Sequence, residues 1–183
     1  MKITLSRIIT LALLLLAAKA THADSSSEHE LKAAYLYHII NFVAWPDDNF
    51  PKENGDIEVC LIADDDFDQI LKTIEKKPIR NRHIRVRQLS SKLLPSSCNM
   101  LFIHNIQGID LQGIFGTANK HNILTIGDLP RFAEMGGMIG FVVYEDRVRL
   151  EVNLATVKTT ELKVSAKLLE IALHVIGRNG EYK

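Results

Sequence analysis

The chain has few of the residues that build reactive or metal-binding clusters. Only two of its 183 residues are cysteine, and the C-x-x-C pair of redox and zinc proteins does not occur. Its seven histidines show no H-x-H or H-E-x-x-H spacing, and no serine lies in a G-x-S-x-G context. The glycines form no phosphate-binding loop. We therefore expect a protein that is not an enzyme and that holds no metal or cofactor.

The chain also lacks an excess of charge of either sign. It carries 22 basic and 22 acidic side chains. The first 23 residues hold three of the basic ones and no acidic one, so the remainder has 19 basic and 22 acidic side chains. A nearly neutral surface argues against a general binder of polyanions. We expect no nucleic-acid partner.

Long apolar runs are scarce, and the single clear one lies at the beginning of the chain. Lys2 and Arg7 precede an apolar stretch of eleven residues, 8–18. Small residues follow at Ala20 and Ala23, where a signal peptidase would cut. This order is typical of a cleaved secretory signal peptide. A membrane-spanning helix needs about 20 apolar residues, which makes an uncleaved N-terminal anchor the less favoured alternative.

The signal peptide sets the expected domain boundaries and compartment. We predict a signal peptide over residues 1–23 and one mature domain over residues 24–183. A domain of this length buries a substantial core. The predicted location is outside the reducing cytoplasm.

The two cysteines, Cys60 and Cys98, both lie in the predicted mature domain. In an oxidising compartment such a pair is typical of one disulfide. Closing this loop would stabilise the fold by roughly 3–4 kcal/mol in the loop-entropy model. Two buried free thiols are the alternative, because buried cysteine is common as a small apolar residue.

The first predicted element is an amphipathic helix. Ser27 and Glu30 fit a capping box at its start, and Pro46 stops it just after Trp45. The apolar residues recur at spacings of three and four and predict one buried face. That face comprises Leu31, Ala34, Tyr35, His38, Ile39 and Phe42.

The rest of the chain alternates short apolar strands with helices. Strands are predicted at residues 57–63, 83–89, 98–104 and 123–126, and helices at residues 67–77, 111–119 and 165–176. Residues 138–144 and 147–153 form a β-hairpin around the turn Glu145-Asp146. We predict an α/β fold: a single three-layer domain with a mostly parallel central sheet, an antiparallel edge hairpin and flanking helices.

Two candidate contact residues follow the first long strand. Asp64 and Asp65 lie in an acidic run at its carboxyl end, where open α/β sheets often bind ligands. The run could hold a divalent cation, or it could cap the next helix, and the missing D-x-D-x-D-G spacing favours the cap. His104 ends another strand, where it either lines a pocket or is a hydrogen-bonded structural histidine.

A basic stretch supplies the other candidate contacts. Arg82, Arg85 and Arg87 lie on or beside one predicted strand, in a segment with several lysines. They could face an acidic partner or anionic lipid. More often such a stretch is the solvated side of an edge strand.

Two longer segments resemble a known family. Residues 32–46 read K-A-A-Y-L-Y-H-I-I-N-F-V-A-W-P, and residues 136–153 read G-G-M-I-G-F-V-V-Y-E-D-R-V-R-L-E-V-N. Both are similar to motifs of the YfiR family of YfiR/HmsC-like periplasmic proteins, and L-K-V-S-A-K-L-L at residues 162–169 also fits. The resemblance extends from about Leu31 to Ile176.

The resemblance implies a regulatory function. Family members restrain an inner-membrane diguanylate cyclase of the YfiN type through its periplasmic sensor domain, which lowers cyclic di-GMP and biofilm formation. An outer-membrane lipoprotein of the YfiB type can sequester the repressor, and the repressor is expected to be a homodimer. Cys60 and Cys98 match a family disulfide position. The second cysteine pair of better-known members is missing here, so redox control through it is not expected.

An alternative hypothesis is a periplasmic small-molecule-binding module that gates a membrane sensor. Its pocket would lie near the strand ends, around Asp65 and His104.

Overall fold

A mostly parallel eight-stranded sheet forms the centre of the molecule. The computed structural model describes residues 23–50, 55–89 and 94–177. The strands of the sheet are β2 (Ile57–Ala63), β3 (Pro78–Ile79), β4 (Arg82–Gln88), β5 (Met100–His104), β6 (Leu124–Gly127), β7 (Ile139–Tyr144), β8 (Arg147–Asn153) and β10 (His174–Ile176). Their order is β10-β8-β7-β6-β5-β2-β4-β3. Two pairs are antiparallel, β3 with β4 and β7 with β8, and the other five are parallel.

Helices flank this sheet, and a second, very small sheet lies beside it. The helices are α1 (Ala23–Asn41), α2 (Phe67–Leu71), α3 (Leu111–Lys120), α4 (Leu154–Val157) and α5 (Ala166–Ile171). Single 3-10 turns occur at Asp47–Asn49 and Lys72–Ile74. The small sheet pairs β1 (Val43–Ala44) with β9 (Lys163–Val164) in antiparallel orientation. Within the described residues, no helix is long and apolar enough to span a membrane.

The two faces of the sheet carry separate hydrophobic cores. Along β2, Val59 and Leu61 contribute to the core under α1 and α2, whereas Cys60 and Ile62 contribute to the core under α3. This division follows from the alternation of side chains along a strand. The result is a helix–sheet–helix arrangement in three layers, which confirms the predicted fold class.

The disulfide between Cys60 and Cys98 is present and lies in the core under α3. The two Cα atoms are 5.9 Å apart, and both side chains are fully buried. This bond confirms the disulfide and excludes the alternative of two free thiols. It joins the middle of β2 to the segment that leads into β5.

The hairpin forms as predicted, but the last helix is shorter than predicted and a strand follows it. Glu145 and Asp146 both have positive φ, 50° and 55°, as the turn of a two-residue hairpin requires. The last helix is capped by Ser165 as predicted, yet it ends at Ile171 instead of residue 176. Leu173 N donates to Leu150 O at 2.7 Å and brings the chain beside β8 as β10. Because Val175 and Ile176 are β-branched, they fit a strand better than a helix.

The first helix differs from its prediction at both ends. It begins at Ala23, so Ser27 lies inside the helix and the predicted capping box is wrong. It ends at Asn41, and Val43 and Ala44 pair with β9 before Pro46 is reached. Helix propensity is a weak preference that tertiary pairing overrides. The predicted signal peptide, residues 1–23, lies outside the described residues except for Ala23.

The predicted buried face of α1 is only partly right: Ile39 is buried and Tyr35 and Phe42 pack, partly buried, against the core, but the other three residues do not. Leu31, Ala34 and His38 are exposed. The buried side chains form the neighbouring face: Lys32, Ala33, Leu36, Ile39 and Ile40. Apolar residues occur on both of these faces of α1, so their spacing does not distinguish them. The prediction chose the face that lacks Lys32.

The helix predicted at residues 67–77 is shorter than expected. It changes to a 3-10 turn at Lys72. The chain then turns at Lys76, which has a φ of 61° and donates its N–H to Ile84 O at 2.8 Å. Backbone bonds of Lys76 and Lys77 with Ile84 of β4 thus replace the last turn of the predicted helix.

Candidate functional site

Three neighbouring parallel strands end at one edge of the sheet and carry polar side chains there. Asp65 follows β2, His104 is the last residue of β5, and Asp128 directly follows β6. The chain leaves β2 to form β4 on one side and returns to form β5 on the other. Such a reversal of strand order opens a crevice at the carboxyl ends, where α/β sheets bind ligands. The topology therefore places these three side chains in a favourable position for binding.

A buried row of charged and polar groups lies at this edge. His104 Nδ1 donates to Asp128 Oδ2 at 2.5 Å, and Lys32 Nζ donates to the same oxygen at 2.6 Å. Lys32 also contacts Glu28 at 2.7 Å. The side chains of Lys32, Asp128 and His104 are 8%, 9% and 5% exposed. Helix α1 is thereby joined to the ends of β5 and β6.

The charges of this row are stabilised by one another. Burial alone raises the pKa of Asp128, but hydrogen bonds from His104 and Lys32 outweigh burial and lower that pKa below its ordinary value. Burial likewise lowers the pKa of Lys32, whereas its bonds to Asp128 and Glu28 raise it overall. The lysine and the carboxylate are therefore both charged near neutral pH.

His29 and Asp65 lie on the other side of His104. The rings of His29 and His104 are 4.9 Å apart and nearly perpendicular. Asp65 Oδ2 lies 3.1 Å from His104 Nε2 and accepts from Asn105 Nδ2 at 3.1 Å. Asp65 Oδ1 accepts from Phe67 N at 3.1 Å. Burial lowers the pKa of His29, and the neighbouring His104 lowers it further.

The three predicted site residues at this edge, Asp64, Asp65 and His104, differ in burial and in their contacts. Asp65 faces His104 and accepts from Phe67 N, the first residue of α2. The residue at the N-cap position is Asp66, which makes no side-chain cap bond, so the expected N-cap is not formed as predicted. Asp64, its neighbour, is exposed. His104 is buried and bonded through Nδ1, yet its Nε2 has no hydrogen-bond partner among the described residues.

The predicted basic contacts lie near the opposite end of β2. Arg85 contacts Asp56 and Arg87 contacts Glu58, each at 2.8 Å. Arg82 donates to Gly55 O at 2.7 Å and covers the ring of Phe50 at 3.7 Å. Each arginine is thus paired within the chain, and the structure separates them from Asp65 and His104.

Sequence reasoning missed Lys32, Asp128 and His29. Lys32 shares a helix face with Leu36 and Ile39, and a charge on an apolar face indicates a buried partner. Asp128 follows a predicted buried strand, as Asp64 does, so the rule that selected Asp64 also applied to it. His29 gave no signal, because its neighbours in space are distant along the chain.

A pocket of about 240 Å³ lies beside the buried row, between α1 and the hairpin. Its polar lining includes Glu28, Lys32 and Asp128, and its apolar lining includes Phe141 and Val143. It combines an apolar wall with a few charged groups, as small-molecule sites do.

Comparison with solved structures finds a likeness to an ABC domain from Streptococcus pneumonia that was solved in complex with L-Trp. The TM-score is 0.48 at 9% sequence identity, and the match covers 76% of this chain. This chain spans 59% of the length of that chain.

Comparison with protein families gives a match over most of the chain. The YfiR/HmsC-like family model covers residues 29–173. This range includes the three residues of the buried row, Lys32, His104 and Asp128. The match confirms the resemblance found in the two sequence motifs. The chain therefore belongs to the YfiR/HmsC-like family, a family of periplasmic regulatory proteins in cyclic di-GMP signalling.

Proposed function

We propose that this protein represses an inner-membrane diguanylate cyclase of the YfiN type by binding its periplasmic sensor domain, which lowers cyclic di-GMP and biofilm formation. The observation that carries the proposal is the family match over residues 29–173. The predicted signal peptide would deliver the chain to the same compartment as that sensor domain.

The physical basis of repression is a shift between two states of the cyclase. A bound protein shifts such an equilibrium only by the difference in its affinity for the two states. Moving the cyclase from about 99% active to about 99% inactive requires a preference of about 10⁴-fold. A rigid surface favours such discrimination, and the Cys60–Cys98 disulfide and the buried row both stiffen this chain.

The surface we assign to the sensor domain lies where α1 meets the tip of the hairpin. Val143 and Tyr144 are 68% and 48% exposed, and Leu31 on α1 is 45% exposed. Val143 also lines the pocket beside α1. Exposed apolar side chains that cluster are typical of protein-binding surfaces. The arginines near the other end of β2 are paired internally and contribute less.

The experiment is a binding titration of the purified secreted chain with the purified periplasmic domain of a YfiN-type cyclase from the same cells. We expect saturable binding that Val143→Asp weakens at least tenfold. Arg85→Glu, at the other end of the sheet, is the matched control and should change the affinity less than twofold. Absence of binding would contradict the proposal, and equal effects of the two variants would contradict the surface.

Two further partners belong to this proposal. An outer-membrane lipoprotein of the YfiB type would compete with the sensor domain for the chain, and the chain would act as a homodimer. Light scattering of the purified chain measures its mass against that of a monomer. A competition titration with the periplasmic part of the lipoprotein tests whether it displaces the sensor domain from this chain.

The pocket favours a second candidate function, a small-molecule-binding module that gates the contact with the sensor. Its position beside Val143 would let a ligand change the proposed binding surface. A ligand that binds only the folded state raises the melting temperature. A thermal-shift screen with amino acids and nucleotides supports this function if one compound gives a saturable rise, and a flat screen argues against it.

A further inference from the structure

His29, Asp65 and His104 come from three distant parts of the chain and meet at the crevice. Each offers one ligand atom, and these atoms all lie within 4.8 Å of one another. His29 is on α1, Asp65 follows β2 and His104 ends β5. Because the spacing along the chain is long and irregular, no sequence motif reveals the cluster.

The hydrogen bonds of His104 leave one ring nitrogen facing a carboxylate. Asp128 Oδ2, which His104 Nδ1 contacts, also accepts a hydrogen bond from Lys32 Nζ, so we assign Nδ1 as the donor to that oxygen. In the neutral ring Nε2 then presents a lone pair. This atom is buried, has no hydrogen-bond partner among the described residues, and lies 3.1 Å from Asp65 Oδ2. A lone pair and a carboxylate oxygen repel at that distance unless a metal ion or a proton lies between them.

We propose that His29, Asp65 and His104 bind a divalent transition-metal ion such as Zn²⁺. Two imidazoles and a carboxylate are a common ligand set for this ion, with a fourth position left to water or another ligand. Asp128 is the positioning residue, because a carboxylate bonded to the other ring nitrogen orients a metal-binding histidine.

The donor atoms favour a transition metal over Ca²⁺ or Mg²⁺. Those two ions prefer sites built from oxygen atoms, whereas imidazole suits zinc, copper, nickel and iron. Metal–nitrogen bonds of about 2.1 Å place tetrahedral donors about 3.4 Å apart. The ligand atoms, which all lie within 4.8 Å of one another, therefore need to move only slightly closer together to bind the ion.

The three side chains of the cluster differ in exposure, and the partly exposed ones leave a path by which an ion can enter. His104 is buried, whereas His29 and Asp65 are partly exposed. A second group of possible ligands among the described residues, Glu58 with Cys60 and Cys98, is unsuitable because both sulfur atoms form the disulfide. The cluster at the carboxyl ends is therefore the one to test.

The test is a metal titration of the full secreted chain after treatment with a chelator. Co²⁺ reports the geometry through its visible absorption, and Zn²⁺ affinity is measured by calorimetry or by displacement of Co²⁺. We expect one ion per chain and an absorption spectrum typical of nitrogen and oxygen ligands. His29→Gln removes one ligand from a partly exposed position, and we expect it to weaken Zn²⁺ binding at least tenfold.

His38→Gln is the matched control, because His38 is exposed on the other side of the same helix. It should leave the affinity unchanged. Asp128→Asn keeps the shape of the positioning residue, and we expect a 10- to 100-fold loss of affinity with the same stoichiometry. Lack of saturable binding would overturn the proposal and leave a proton between His104 and Asp65. Equal affinities of His29→Gln and His38→Gln would overturn it as well.

Discussion

Different interactions stabilise the two ends of the central sheet. At the carboxyl ends, Lys32, Asp128 and His104 form a row of charged and polar groups that is almost entirely buried. Near the amino ends, Arg85 and Arg87 form ion pairs with Asp56 and Glu58 at the surface. That region also has the Cys60–Cys98 disulfide nearby.

The difference shows that burial, more than the number of charges, decides what a charged cluster contributes. The sequence directs attention to the arginines, because several cations lie close together there. Exposed pairs contribute little, since water and salt screen them. Buried pairs are few, but removing one partner leaves the other charged in a poorly solvated place.

The largest expected effect comes from removing the lysine of the buried row. Lys32→Met retains the length of the side chain but leaves Asp128 without its ammonium partner. We expect the free energy of unfolding to fall by about 3–5 kcal/mol, as for other broken buried pairs. Urea denaturation measures it. Lys72→Met is the control, because Lys72 pairs with Asp68 at the surface, and it should cause no clear change. A similar loss in both variants would remove the distinction between the two ends.

The next effect concerns the covalent bond near the amino ends. Replacing both cysteines, as Cys60→Ala with Cys98→Ala, should lower the free energy of unfolding by roughly 3–4 kcal/mol, because the unfolded chain regains the entropy of the open loop. Thermal denaturation of the variant and of the unreduced native chain gives the difference. A loss below about 1 kcal/mol would mean that other contacts hold β2 to β5.

A smaller effect tests how closely the carboxyl ends are packed. A Cβ atom at Gly127, next to Asp128, would lie 2.5 Å from the buried ring of Phe132. Gly127→Ala should therefore destabilise the fold by about 1–3 kcal/mol through overpacking. Gly116→Ala is the matched control on α3, where nothing lies within 4 Å of the added atom. It should stabilise the helix slightly, and a destabilisation equal to that of Gly127→Ala would contradict this account.

The smallest effect is expected at the exposed arginines. Arg85→Gln breaks the pair with Asp56, and we expect a change in the free energy of unfolding below about 1 kcal/mol. Any difference should shrink in high salt, because exposed pairs are screened. Urea denaturation at two salt concentrations measures both. A loss comparable to that of Lys32→Met would show that these pairs matter more than their exposure indicates.

The parts of the fold that depend on local pattern could be predicted from the sequence. The hairpin turn at Glu145-Asp146, the cap at Ser165 and the buried strands followed from alternation and turn chemistry. The disulfide followed from having two cysteines and a predicted location outside the cytoplasm.

The parts that depend on distant contacts could not be predicted. The buried face of α1 includes Lys32 because Asp128, far along the chain, supplies the opposite charge. The end of the last helix gives way to β10 because β8 offers an open edge. The cluster of His29, Asp65 and His104 exists only once three separate segments meet.

The most direct test of the proposed function is the level of cyclic di-GMP in cells with and without this gene, in a strain that also has a YfiN-type membrane cyclase. We predict that deletion of the gene raises cyclic di-GMP and that a second deletion, of the cyclase, abolishes the rise. Unchanged cyclic di-GMP after the first deletion, or a rise that persists after the second, would contradict the repressor function.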